Sequence, residues 1–380
     1  MILLVILPIS STDIFISALP AMMKDFHCNV SDISYTLSGY MVGFSISIIL
    51  SGTCSDILGR KKILIWTTII YLISAFLMSI CNNLHLLIFL RFMQGFGGGG
   101  GFVIARLIVK DYFHDKEQLK ILSMLSTGNA IAPAVAPQIG TLFAHHFGWH
   151  SCFLVTFIMS CFALLLIIFF LKETLKTKSH YNPLKSLPFS LFAAMRKKEF
   201  VGYTLLIGCG WSAYFIFIGL SSFYFQNLAH YSAKEYSYII LIVTFGYLIG
   251  TNLTRYFNYK NYTIPEILSI AVIICVVSTI VFTGAIIFNL FLIAILSMFV
   301  LRLGIGIIMP TAQLGAMRVY NENIGWYMGC LFFLEFLASG ILLSIASDIE
   351  EIKTGYGMLI IIALSVFTLI PSYKLLIKKD

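Results

Sequence analysis

Twelve runs of mostly apolar residues dominate the chain, near positions 1–20, 33–53, 63–81, 84–106, 119–144, 150–171, 200–225, 236–256, 266–287, 289–313, 324–347 and 356–376. Each is close to the roughly 20 residues that an α-helix needs to cross about 30 Å of hydrocarbon. A helix satisfies its own backbone hydrogen bonds, which an open strand in lipid cannot do. Charged residues are only 11% of the sequence and mean hydropathy is +0.93, too little polar surface to cover a soluble domain. A cytoplasmic enzyme, a secreted disulfide scaffold and a disordered chain are excluded. The expectation is an all-α membrane protein with twelve transmembrane helices.

The first run is not a signal peptide. It has no Lys or Arg before its apolar part, and Pro8 and Asp13 interrupt it. With the N-terminus on the cytoplasmic side, twenty Lys and Arg fall in inner loops and the C-terminal tail. Lys24, Lys234 and Lys353 fall outside, and Arg91 and Arg302 lie within spans. This bias predicts that both termini are cytoplasmic. The net charge of +8 comes from dispersed residues, not from a basic module, so no nucleic-acid partner is expected. The eight cysteines form no C-x-x-C pair and mostly sit in apolar runs, as small buried hydrophobes do.

The longest polar stretch, Lys172 to Glu199, separates spans six and seven. It divides the chain into an N-terminal six-helix bundle (1–172), a cytoplasmic linker (173–198) and a C-terminal six-helix bundle (199–380). Leu90-Arg91 followed by Gly95 is echoed by Leu301-Arg302 followed by Gly306. The layout suggests two pseudo-symmetric bundles about a midplane cavity, as in secondary transporters.

Between spans two and three stands Gly52-x-x-x-Asp56-x-x-Gly59-Arg60-Lys61-Lys62. Gly59 permits a tight turn. Asp56 can accept from backbone donors or basic groups on a neighbouring helix, forming a cytoplasmic latch. The pattern resembles the helix 2–3 loop motif of the major facilitator superfamily. Leu90-Arg91-Phe-Met-Gln94-Gly95 is similar to that superfamily's helix-four motif, whose Arg is associated with proton transfer. Gly128 through Ala132-Pro133, then Ala136-Pro137-Gln-Ile-Gly140, resembles its helix-five antiporter motif. The doubled Ala-Pro is similar to the bicyclomycin/chloramphenicol-resistance branch of drug/proton antiporters. So are Asp13 through Pro20, Trp149-His150 and Lys172-Glu173-Thr174. The resemblance covers about residues 10–175, and implies the major facilitator fold and a cytoplasmic segment ahead of the first helix. Ile48 stands where the branch shows a polar Gln in helix two. Glu335 is an acid in helix eleven where the branch does not usually have one.

Gly95 to Gly101 formally contains G-x-G-x-x-G, but it lies inside a spanning helix with no preceding strand. Close helix packing explains it better. Pro133 and Pro137 each remove a backbone donor and bend helix five. His145, His146 and His150 gather near Trp149 without a carboxylate, which suits an interface and not a metal centre. Asn129, Trp211 and Tyr214 are candidate cavity-lining residues, the two aromatics for flat apolar substrates.

Four charges lie deep in the spans: Asp13, Arg91, Arg302 and Glu335. Each costs roughly 2.5–3.5 kcal/mol to insert, so it faces a partner or a water-filled cavity. Helix rise places Asp13 and Arg91 at similar depths. Asp13 is expected to carry a coupling proton, with Arg91 tuning its affinity and Glu335 as a second acid. A static ion pair holding two helices together is the competing explanation. The sequence thus points to a proton-coupled exporter of small amphipathic compounds in a bacterial inner membrane, monomeric, non-enzymatic and without a cofactor or metal. An importer or facilitator of a small metabolite is the rival. A non-transporting sensor or scaffold is another, and it leaves the buried charges without a role.

Overall fold

The computed structural model describes residues 2–112, 125, 132–133, 135–175, 195–320, 324–352 and 355–377. Among these, every regular element is helical. The chain divides into two compact units, Met1–Cys28 with Tyr35–Phe189, and Asn29–Ser34 with Ser190–Asp380. Most of the expected linker, residues 176–194, lies outside the described residues.

The first unit contains α1 (Ile2–Asp13), a 3-10 turn (Ile16–Ala18), α2 (Leu19–Asp25), α3 (Val30–Leu58) from Tyr35 onward, α4 (Arg60–Met78), α5 (Leu84–Tyr112), helical residues 135–147 and α6 (His150–Phe170). The second contains α7 (Lys198–Phe223), α8 (Ala233–Tyr259), α9 (Ile264–Ile287), α10 (Phe291–Val319), α11 (Ile324–Ile352), α12 (Tyr356–Phe367) and α13 (Leu369–Ile377). Among the described residues, eleven helical stretches are long and apolar enough to cross a membrane. Leu3–Asp25 and Tyr356–Leu376 each join two helices. Large apolar side chains such as Trp66, Phe162, Phe170 and Leu292 stand exposed on the outside. Water penalises such a surface, whereas lipid solvates it.

The structure differs from the sequence expectation at two places. The segment Gly52–Lys62 is not a loop: α3 runs to Leu58, α4 starts at Arg60, and Gly59 alone turns the chain. Its φ of +105° belongs to the region that favours glycine. The first span is not one helix ending near residue 20. It is interrupted at Ile14–Ala18 and continues to Asp25.

The glycine run of α5 works as a three-sided packing surface. Cβ atoms at Gly95 and Gly99 would overlap backbone of α3, those at Gly97 and Gly100 would strike Thr67 and Tyr71 of α4, and one at Gly98 would strike Pro8 of α1. Three helices therefore approach α5 at backbone distance, which larger residues forbid.

Candidate functional site

The interruption of the first span has a local cause. Pro8 has no N–H to donate, and the next hydroxyls turn back on the backbone. Ser11 Oγ donates to Pro8 O at 2.9 Å and Thr12 Oγ1 to Ile9 O at 2.7 Å, a pattern that bends helices. Ile14 N still donates to Ser10 O at 2.9 Å, but Ala18 N donates to Phe15 O at 2.9 Å and tightens the chain into the 3-10 turn. The Ile14 carbonyl then seats on Gly140, where a Cβ would overlap it. Thr141 Oγ1 donates to Ser17 Oγ at 2.8 Å and ties the same turn down. Pro133 and Pro137 are both buried. Gly128 and Asn129 lie outside the described residues.

Asp13 is the last residue of α1 and is buried, with Thr12 Oγ1 3.3 Å from its Oδ1. Arg91 of α5 is fully buried beside it. One guanidinium nitrogen donates to Ser11 O at 3.2 Å and to Gln94 Oε1. Its Nε donates to Thr36 O at 3.4 Å. The guanidinium carbon lies 4.3 Å from the Phe15 ring centre and 4.6 Å from that of Tyr40. Arg91 thus caps the carbonyl end of the broken helix and lies within electrostatic reach of Asp13. Gln94 stands in the sequence motif, but only the structure shows that it holds Arg91.

The second unit repeats this construction. Gly39-Tyr40-x-x-Gly43 of α3 has a counterpart in Gly246-Tyr247-x-x-Gly250 of α8, just as Arg91-x-x-x-Gly95 has one in Arg302-x-x-x-Gly306 of α10. Matched atoms meet. Cβ atoms at Gly43 and Gly250 would overlap the carbonyls of Phe92 and Leu303, and those at Gly95 and Gly306 the carbonyls of Tyr40 and Tyr247. The interlock puts each tyrosine ring on its arginine, with Arg302 4.4 Å from the centre of Tyr247. Arg302 also lies 3.3 Å from the centre of Tyr214 and 5.4 Å from that of Trp211. Trp211 packs edge-on against Tyr214 and Phe336, at 5.8 and 6.1 Å. Glu335 is buried on α11, one position before Phe336. Ser339 Oγ donates to Glu335 O at 2.7 Å and lies 3.1 Å from Ser212 Oγ of α7. The G-Y-x-x-G repeat is legible in the sequence, but the contact it makes with the arginine helix is not.

The turn at Gly59 is held by residues far away in sequence. Arg60 is its hub, with one guanidinium nitrogen 2.6 Å from Asp56 and donating to Ser55 Oγ, and Nε donating to Asp111 at 3.1 Å. Asp56 itself is half-exposed. The backbone acceptor is Glu173, which takes the N–H groups of Arg60 and Lys61 at 2.9 and 3.2 Å. Lys61 Nζ donates to Ile168 O at 2.9 Å, and Gly52 packs toward Val103. Partial burial raises the Glu173 carboxyl, but four backbone N–H donors, from Leu175, Arg60, Thr174 and Lys61, outweigh it and hold the group below its ordinary value.

The sequence profile described as Major Facilitator Superfamily matches residues 1–343. The chain belongs to that superfamily. It is 26% identical over 364 residues to the uncharacterized MFS-type transporter YdgK of Bacillus subtilis strain 168, covering 95% of this chain and 90% of that one. It is 27% identical over 237 residues to the multidrug resistance protein MdtL of Vibrio parahaemolyticus, 62% of this chain and 59% of the relative. With MdtL of Citrobacter koseri it shares 32% over 171 residues, 45% and 44% of the two chains. The matches to MdtL thus span only about half of those relatives. Among solved structures, a D-xylose–proton symporter superposes with a TM-score of 0.79 at 14% identity, covering 98% of this chain and 96% of that one. The human organic anion transporter MFSD10 superposes at 0.71 and 14%, covering 99% and 97%. These establish the major facilitator fold. The protein is a multi-pass membrane transporter of this superfamily.

Proposed function

We propose that this transporter is a proton-driven exporter of small amphipathic compounds in a bacterial inner membrane, with both termini cytoplasmic. The observation that carries the proposal is the buried Asp13 at the break in the first span, beside a fully buried Arg91. A carboxyl taken out of water resists ionisation, and a neighbouring guanidinium restores it. Alternating wet and dry surroundings at such a site load a proton on one side of the membrane and release it on the other. Asp13 carries the coupling proton, Arg91 sets its affinity, and Glu335 is a second acid. The direction of transport is supported by the relatives named multidrug resistance protein MdtL. Arg60, Asp111 and Glu173 form the latch at the cytoplasmic end.

The test is expression in an efflux-deficient bacterial strain challenged with antibiotics and dyes, with and without an uncoupler. Lower accumulation of at least one compound, abolished by the uncoupler, is expected. Unchanged resistance and accumulation across the panel would favour import instead.

A further inference from the structure

The last span is interrupted near its end. α12 stops at Phe367 and α13 starts at Leu369, where Pro371 has no N–H for the Phe367 carbonyl. Thr368 Oγ1 donates back to Ser365 O and Ser372 Oγ to Thr368 O, both at 2.6 Å, a pattern that bends helices. Past this break, α13 and α9 leave an open groove of about 400 Å³ between them, within the roughly 300–1,000 Å³ of ligand clefts. Half-buried Val276 and exposed Val277 of α9, with exposed Ile370 of α13, line its apolar length. Ser269, Tyr373 and Lys374 line the end nearest the start of α9 and the end of α13. From Ser269 to Val277 a helix rises about 12 Å, nearly the depth of one leaflet in a core about 30 Å thick. The groove therefore runs from the polar edge of a leaflet toward the midplane. At its polar end Tyr373 Oη donates to Pro265 O at 3.1 Å and Ser269 Oγ to Glu266 O at 2.8 Å. The Glu266 carboxylate caps its own helix, accepting from Thr263 N and Oγ1 at 2.8 and 2.9 Å. Lys374 is exposed and, among the described residues, has no hydrogen bond or ion pair. Lys378 and Lys379 follow it in the sequence.

We propose that this groove binds one anionic phospholipid, with an acyl chain along Val276, Val277 and Ile370 and the phosphate at Lys374. The chain is the part that an apolar trough one leaflet deep accepts, and the charge is the part that an unpaired ammonium at its polar end attracts. The hydroxyls of Ser269 and Tyr373 already donate to backbone carbonyls, so Lys374 is the donor available to the head group. A zwitterionic lipid fills the same trough but brings a second positive charge towards Lys374, and it binds less tightly. A soluble phosphate ester has the charge without the chain and is not retained. Bound lipid bridges α9 and α13 beside the break in the last span. The proposal concerns the lipid-facing surface of the second unit and is independent of the export function.

The test is native mass spectrometry of the purified full chain in detergent, titrated with dioleoyl phosphatidylglycerol, dioleoyl phosphatidylcholine or glycerol phosphate, and read as the affinity of the first adduct. The wild type binds phosphatidylglycerol more tightly than phosphatidylcholine and does not retain glycerol phosphate. Lys374→Gln, at an exposed position, weakens phosphatidylglycerol by roughly fivefold, the contribution of one basic residue at an anionic membrane surface, and leaves phosphatidylcholine unchanged. Lys374→Arg keeps the charge and restores the difference. Val276→Trp obstructs the trough and weakens both lipids. Lys234→Gln removes one charge at the opposite membrane face, at the start of α8, and changes neither. Equal affinity of the wild type for the two lipids, retention of glycerol phosphate, or phosphatidylglycerol binding unaltered in Lys374→Gln each overturns the proposal. So does an equal loss in Lys234→Gln, or lipid binding unaltered in Val276→Trp.

Discussion

Replacing Glu173 by Ala removes the acceptor for the first two amides of α4. Those amides have no partner within their own helix, and Glu173 takes them at 2.9 and 3.2 Å. A buried hydrogen bond to a charged group contributes roughly 1.5–3 kcal/mol. Glu173 is exposed, so solvent screening lowers the pair to about 2 kcal/mol in total. That corresponds to roughly 30-fold more frequent local opening. Hydrogen exchange at Arg60 and Lys61, resolved by electron-transfer fragmentation, should accelerate by about this factor in Glu173→Ala, with amides deeper in α4 unaffected. The Glu173 carboxyl is held below its ordinary value, so the folded form binds a proton less readily than the unfolded one. Its contribution is therefore complete above the ordinary glutamate range and is lost as pH falls through the depressed value. After correction for intrinsic rates, wild-type protection of these two amides should fade in that acid window and that of the variant should not. Unchanged exchange at neutral pH in Glu173→Ala would refute the capping role.

Three further outcomes follow from the packing. Gly140→Ala places a Cβ on the Ile14 carbonyl, and because both are backbone no rotamer relieves it. A loss near 3 kcal/mol is expected, seen as a lower unfolding temperature in detergent. Gly250→Val forces α8 from α10 at Leu303 and should reduce the monodisperse fraction in size-exclusion chromatography far more than Gly284→Val, whose Cβ would meet open space. Arg91→Lys keeps the charge but loses the forked contacts to Ser11 and Gln94 and the stacking on Phe15 and Tyr40. It should fold, yet lose most proton-driven flux in vesicles.

Hydropathy located the spans because burial in lipid dictates length and composition, and it placed α6 and α9 almost to the residue. It read short at α3, α5 and α10, which run past the apolar stretch at one end or both, since a helix continues into polar sequence wherever neighbours satisfy it. It was blind to the break after Asp13, which depends on hydroxyls turning back on the chain and on Gly140 more than a hundred residues away. The motif around Asp56 was legible as a pattern, but its hub is Arg60 and its backbone acceptor is Glu173, a pairing no local spacing contains. Trp211 and Tyr214 were legible as aromatics in mid-span. That Arg302 stacks on them was not legible, because contacts between spans seven and ten leave no trace in either span alone.

The central claim is that Asp13 carries the coupling proton. The most direct test is transport in inverted membrane vesicles under an imposed pH gradient, comparing wild type with Asp13→Asn, which preserves shape and removes the titratable group. The account predicts gradient-driven substrate flux in the wild type and its loss in Asp13→Asn, with substrate binding retained. Full proton-coupled flux in Asp13→Asn would contradict it.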